Sequence, residues 1–256
     1  MAIPLKQFVF VRRRSGMTMK EFFDHHYQVH GFLSYGPSPE TMPLACDQTH
    51  IFDASYSNSI LAQPSWSGHN DSAELYFTDH EHLGRVFQSD HTRNVIAPDA
   101  QKFNDFAAAT AMMTFEEVIA GSEQEGDSQL LVTTWCVQAS DPAEDHQSFA
   151  AKLNPEVAIA FKDISARVVA NVAIPDEAGV LRYFKGRSAP SYTAAYQIFL
   201  ADKGQITAFN KAKTDLEREV ESLIVPETSF LVFGVRSVVF DRPRDIPFSI
   251  TRQPQL

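Results

Sequence analysis

The sequence predicts an α+β protein in which two tandem βαββαβ repeats form an intrachain pseudo-dimeric α/β barrel. Strand-like runs and amphipathic helical segments follow one another in the order βαββαβ over residues 5–119, and the same order recurs over 130–240 after a charged linker. A unit of this kind places both helices on one face of a four-stranded antiparallel sheet, so its other face needs an apolar cover. A second copy supplies that cover, giving two sheets packed face to face with helices outside. The copies are read as residues 1–122 and 128–256, sharing pattern far more than residues.

The elements follow in order. "LKQFVFVRR" (5–13) is β-branched and aromatic, hence a strand, and "SGMT" breaks it. Thr18 with Glu21 three positions on forms a capping box and starts a helix that runs to about Gly31 or Tyr35. "CDQTHIFDAS" (46–55) and "SAELYFTD" (72–79) read as strands separated by a polar, Gly- and Pro-containing loop that carries Trp66. Asp79 caps a helix over "DHEHLGRVFQS", and "ATAMMTFEEVI" (109–119) is the fourth strand. Past the linker "AGSEQEGDSQ" come strand 130–139, a helix over about 142–153, strands 166–174 and 191–201, a helix over about 205–224 and strand 228–240.

A chain of 256 residues with 44% hydrophobic content can bury a full core. Its net charge is −10 and its lysines and arginines form no long run, so neither a nucleic acid nor an anionic membrane is an expected partner. No stretch approaches the roughly 20 apolar residues of a membrane span, and the N-terminal basic cluster follows its apolar run, the reverse of a secretory signal. The expectation is a soluble cytoplasmic protein with a small hydrophobic or aromatic substrate. Cys46 and Cys136 read as reduced, half-buried thiols.

Chemistry concentrates in "TMKEFFDHHYQVHG". At 3.6 residues per turn Phe22, His26 and His30 share a helix face, while His25 points about 100° away from His26 and is expected in solvent. A neutral imidazole donates from one nitrogen and accepts at the other, with a reference pKa near 6.5 that suits proton transfer. Either histidine equally suits a helix C-terminal carbonyl. His26 and His30 have the i, i+4 spacing of a two-histidine zinc motif, but no glutamate follows the first, and only His50 stands as a possible third ligand, so no metal is expected. Asp99, after Pro98, is a helix cap, a turn residue or a general acid/base, and His91 lies in the same segment. Tyr35, Phe52, Trp66 and Tyr76 are candidates for an aromatic pocket, with Phe52 and Tyr76 equally suited to the core. Nucleotide loops and serine nucleophile elbows are absent from the sequence.

"FVFVRRRSGMTMKEFFDHHYQVHG", with its Gly-Met-Thr turn, Phe22 and closing His30, resembles the opening of the EthD-domain family within the ferredoxin-like dimeric α/β-barrel superfamily. "SDHTRNVIAPDAQKFND" is similar to that family's segment before the last strand, with Asp99 and Phe103 four positions on. One departure is "HGFLS", where the family commonly has a proline-containing turn. The resemblance covers residues 5–119; residues 128–241 share only the pattern.

It implies a mostly cofactor-free protein whose ligand sits between one copy's sheet and its helices. Family members include decarboxylases, dehydratases and cyclases of polyketide and other secondary metabolism, and the superfamily includes cofactor-independent monooxygenases. The leading expectation is a cofactor-free lyase or cyclase in which His30, with Asp99 and His26, moves a proton, and in which Phe22, Tyr35, Phe52, Trp66, Tyr76, His91 and Phe103 contact the substrate. The rivals are a cofactor-independent monooxygenase and a non-catalytic accessory protein that binds the same ligand. Eight of the nine histidines precede residue 92, so the first copy is expected to hold the site and the second to act as cover, in a monomer with an internal pseudo-dimer or in a homodimer.

Overall fold

The computed structural model describes residues 4–57, 64–122, 129–184, 186 and 189–256. Most of the expected loop before Trp66 and most of the linker lie outside the described residues.

The first half contains β1 (Leu5–Val11), α1 (Met19–Asp24), a π-helical stretch His25–Gly31 and a last turn α2 (Phe32–Ser34). It continues with β2 (Ala45–Tyr56), β3 (Asp71–Phe77) and α3 (His80–Gln88). A second π-helical stretch, Thr92–Ile96, leads into α4 (Ala97–Phe103) and β4 (Thr110–Gly121). The second half is β5 (Leu130–Val137), α5 (His146–Phe161), β6 (Arg167–Ile174), β7 (Ala194–Leu200), α6 (Ile206–Glu219) and β8 (Phe230–Asp241).

Among the described residues eight strands form one closed antiparallel barrel in the order β1-β3-β2-β8-β5-β7-β6-β4. Within it each half keeps the order 4-1-3-2 expected of a βαββαβ unit. The sheets do more than stack face to face: β2 pairs with β8 and β4 with β6, so each of these eight strands has two neighbours and none of them presents an open edge. At the first of these seams a Cβ on Gly234 would lie 2.4 Å from Thr49 Cγ2 and 2.7 Å from the His50 carbonyl oxygen, so the close approach of β8 to β2 needs glycine.

Local rules explain most elements. Thr18 and Glu21 form the expected capping box, and Asp79 accepts from His82 N at the start of α3. Helix α5 runs past the expected stop, through Pro155, because Phe149, Leu153, Val157 and Phe161, each four residues apart, are fully buried against the second sheet. That burial outweighs the one backbone hydrogen bond that proline forgoes. Both cysteines are fully buried rather than half-buried.

Alternation along β1 divides the molecule. Phe8 and Phe10 point into the barrel toward Met112 and Phe230, whereas Val9 and Val11 point out to Phe22 and Phe103 beneath the helices. The connection after β6 folds back over the first half. Val180 is buried among Leu5, Phe77, Leu83 and Met113, Phe184 meets Phe87 edge-on at 5.5 Å, and Gly186 N donates to Ala109 O at 2.7 Å. A Cβ on Gly186 would stand 2.2 Å from the Ala107 carbonyl oxygen, which pins this strap to a glycine.

Candidate active site

Between the outer face of the first sheet and its helices lies a cavity of about 540 Å³, walled by His30, Leu75, Val86, Phe87, Ala100 and Phe106, with His91 beside them. Ala178, Val180, Arg182, Tyr183 and Phe184 of the strap close its far side. The second half is therefore part of the site's wall, a larger role than cover alone. Its size and largely apolar lining suit a small organic ligand.

His30 is the cavity's candidate base. Its side chain is 15% exposed, and Nδ1 donates to Asp99 Oδ2 at 3.0 Å. Asp99 sits in the first turn of α4 with its carboxylate nearly buried. It is neither a cap nor an exposed turn residue, because it collects three donors: His30, Lys102 at 3.1 Å, and His25 Nε2 at 3.1 and 3.2 Å from its two oxygens. Burial works to raise the Asp99 carboxyl, but the bonds from His30, Lys102 and His25 outweigh it and hold the group well below the usual carboxylate range. An ionised Asp99 only accepts, so it fixes the proton of His30 on Nδ1 and leaves Nε2 with a free lone pair. Burial lowers the His30 pKa, with Asp99 opposing, so the ring is a neutral base at pH 7.

His25 is not in solvent as the 3.6-residue repeat predicts. The backbone of His25–Gly31 is π-helical, packing more residues into each turn, so residues five apart come close to one another. In an α-helix they would stand about 140° apart. His25 and His30 thus converge on one carboxylate, while His26 turns inward. The His26 ring is buried, stacked 4.8 Å from Phe103, with Nδ1 3.5 Å from Asp71 Oδ2. His50 Nε2 lies 3.5 Å from the same oxygen. Neither contact is a hydrogen bond, and both Asp71 oxygens are buried without a hydrogen-bond partner among the described residues. Burial pushes His26 down to about 3 and His50 down to about 4, and pushes Asp71 well above its ordinary value. The i, i+4 pair considered for zinc is therefore split between two carboxylates, and among the described residues no group of three His, Cys, Asp or Glu could hold a metal ion.

The aromatic candidates scatter. Phe22 and Phe103 are fully packed; Phe103 buttresses the His30 ring from behind, with centroids 4.9 Å apart. Tyr35 packs edge-on to Phe240, and Phe52 stacks on Phe233 in the second half. Trp66 is buried at the opposite end of the barrel with Tyr192 and Phe230. Tyr76 points into the barrel, where its hydroxyl meets Glu74 and Arg236 in a buried charge network with Lys6. Only His91 among them lines the cavity, its Nε2 donating to the Leu33 carbonyl at 2.9 Å. Sequence reasoning missed Phe87, Arg93, Arg182 and Phe184. Arg93 lies within "SDHTRNVIAPDAQKFND" and Phe87 two residues before it, but nothing local marks Arg182 and Phe184, which reach the site only through the strap.

The EthD domain family matches residues 14–107, the stretch that carries His30, His91 and Asp99. No curated protein matches the chain by sequence. Solved structures share its fold over nearly its whole length. An anthrone oxidase-like protein superposes with a TM-score of 0.57 at 10% identity, over 93% of this chain and 92% of its own. A candidate monooxygenase from Fusobacterium nucleatum subsp. nucleatum superposes at 0.52 and 9% identity, over 93% and 94%. A candidate chlorite dismutase superposes at 0.51 and 7% identity, over 94% and 97%. At such identities the likeness is one of fold. Among the described residues no helix is long and apolar enough to cross a membrane.

Proposed function

We propose, from the match of residues 14–107 to the EthD domain family and from the eight-stranded α/β-barrel frame, that the chain is an oxidative enzyme in which His30 deprotonates a hydroxylated anthrone-type aromatic that then reacts with dioxygen. The observation that carries this reading is the Asp99-oriented His30 on the wall of an apolar cavity. Proton abstraction alone also serves the lyase and cyclase chemistry expected from the sequence. The oxidative branch is preferred because two whole-chain fold neighbours bear oxidative names and none of the three described above is named a lyase or cyclase.

His30 Nε2 removes a proton from the activated ring carbon, and Asp99 stabilises the resulting imidazolium through Nδ1. The electron-rich carbanion donates to dioxygen and forms a carbon-bound peroxide. Loss of water from that peroxide leaves a quinone, so one anthrone and one dioxygen give one quinone and one water. The apolar walls keep bulk water from the carbanion and strengthen the His30–Asp99 bond.

An oxygen electrode with a hydroxylated anthrone tests the reading. The expected outcome is one dioxygen consumed per quinone formed, with His30→Ala returning the rate to that of buffer. Turnover that continues without oxygen, or a product lighter by carbon dioxide, would transfer the same residues to lyase chemistry. A rate untouched by His30→Ala would overturn the assignment of the base.

A further inference from the structure

The cavity's charge is opposite to that of the chain. Acidic residues outnumber basic ones 32 to 22, yet among the described residues lining the cavity none is Asp or Glu, and two are arginines, Arg93 and Arg182. Nearby cations are already committed: Lys102 to Asp99 at 3.1 Å, and Arg85 to Glu81 at 2.6 Å. Arg93 and Arg182 make no ion pair among the described residues; Arg182 donates only to the neighbouring Tyr183 hydroxyl at 3.0 Å and lies 4.9 Å over its ring. The two come from opposite halves, Arg93 from the π-helical stretch before α4 and Arg182 from the strap.

Both arginines are exposed, whereas His30 is largely enclosed, so the positive charge lies at the mouth and the base further in. A chain of net charge −10 repels anions at long range, and a cationic mouth locally reverses that field. A guanidinium is a flat fork of donors that matches a planar oxyanion bidentately. We infer that the substrate is an aromatic carboxylic acid, its carboxylate received by Arg93 and Arg182 and its apolar body directed toward His30. This rests on the cavity being the substrate site named above, and it adds the charge and orientation of the ligand. It also accounts for the strap: a carboxylate bound by both arginines ties the second half to the first half's chemistry. An anion kept at the rim leaves His30 neutral, whereas one beside the ring would raise its pKa and blunt it as a base.

The test compares anthraquinone-2-carboxylate with anthraquinone-2-carboxamide, flat tricyclic probes of nearly equal shape, by calorimetric titration of the whole protein. The acid is expected to bind roughly tenfold tighter at low salt, the preference shrinking as salt rises and disappearing in the double variant Arg93→Gln, Arg182→Gln. The salt series on the unsubstituted protein carries the test even if the variant misfolds. Inorganic phosphate at equal ionic strength is expected to compete no better than chloride, since it lacks the aromatic body; strong displacement would mark a general phosphate site and overturn the inference. Equal affinity for acid and amide, or a preference that survives the double substitution, overturns it too. His30→Ala is expected to keep the preference while abolishing turnover, so failure of the arginine assignment and failure of the proposed reaction give different results.

Discussion

Two aspartates flank the first helix, each with two histidines, and they are in opposite states. Asp99 holds His25 and His30 at 3.0 to 3.2 Å with Lys102 on its outer side, and it is ionised. Asp71 faces His26 and His50 at 3.5 Å, with no hydrogen bond to either and no access to water, and burial drives it toward the neutral acid. The same residue types thus make a charged orienting group at the cavity and a strained polar pocket beneath the helix. What separates them is a few tenths of an ångström and one lysine, because a carboxylate keeps its charge only where donors replace lost water.

The largest expected effect comes from making the first cluster resemble the second. Asp99→Asn keeps the shape of the side chain but removes the charge that fixes the His30 tautomer, and kcat/KM is expected to fall by about 100- to 1,000-fold. Asp99 works to raise the His30 pKa against desolvation, so its loss also moves the acid limb of the pH profile to lower pH. A purely structural role for Asp99 would lower the amount of folded enzyme and leave that limb in place. In the unsubstituted enzyme His30 must be neutral to act, so kcat/KM is expected to be flat above about pH 6.5 and to fall only below it. A plateau that begins above pH 7 would contradict a lowered His30 pKa.

The comparison also shows what sequence could and could not reveal. The order of strands along the chain, both helix caps and the pairing of His30 with Asp99 as functional candidates were legible, because periodicity, capping chemistry and a resembling motif are written in neighbouring residues. The partition of the three histidines was not. It depends on π-helical winding over His25–Gly31, which no hydrophobic repeat announces and which tertiary contacts to Asp99, Asp71 and Phe103 accompany. Trp66 shows the same limit from the other side: an aromatic in a polar loop reads as a wall of the substrate pocket, yet it packs into a buried core cluster inside the barrel. Arg182 is more distant still, since only a closed barrel brings the connection after β6 over the first half.

Removing the strain from the second cluster should stabilise the protein without touching catalysis. Asp71 has a folded pKa raised above its unfolded value near 3.9, so its relative stabilisation is fully present below that value and is lost as pH rises toward the folded pKa. Asp71→Asn, neutral throughout, is therefore expected to match the parent near pH 4 and to exceed it at pH 8 by about 1 to 3 kcal/mol in urea unfolding. A difference that does not grow with pH would mean that Asp71 is ionised and satisfied in the folded chain, and the contrast between the clusters would collapse.

The smallest effect belongs to His25, which shares Asp99 without lining the cavity. It acts on His30 in two ways of the same sign: its charge, when present, lowers the His30 pKa, and its hydrogen bond draws electron density on Asp99 away from His30. His25→Gln lifts the first and loosens the second, so the acid limb of kcat/KM is expected to move upward by a few tenths of a pH unit while the plateau falls only about two- to fivefold. An acid limb that moves downward would show that His25 supports the basicity of His30 instead of competing for its carboxylate. The π-helical winding that brings His25 to Asp99 would then add to the catalytic base, and the two aspartate clusters would differ in how many histidines serve each carboxylate as well as in charge.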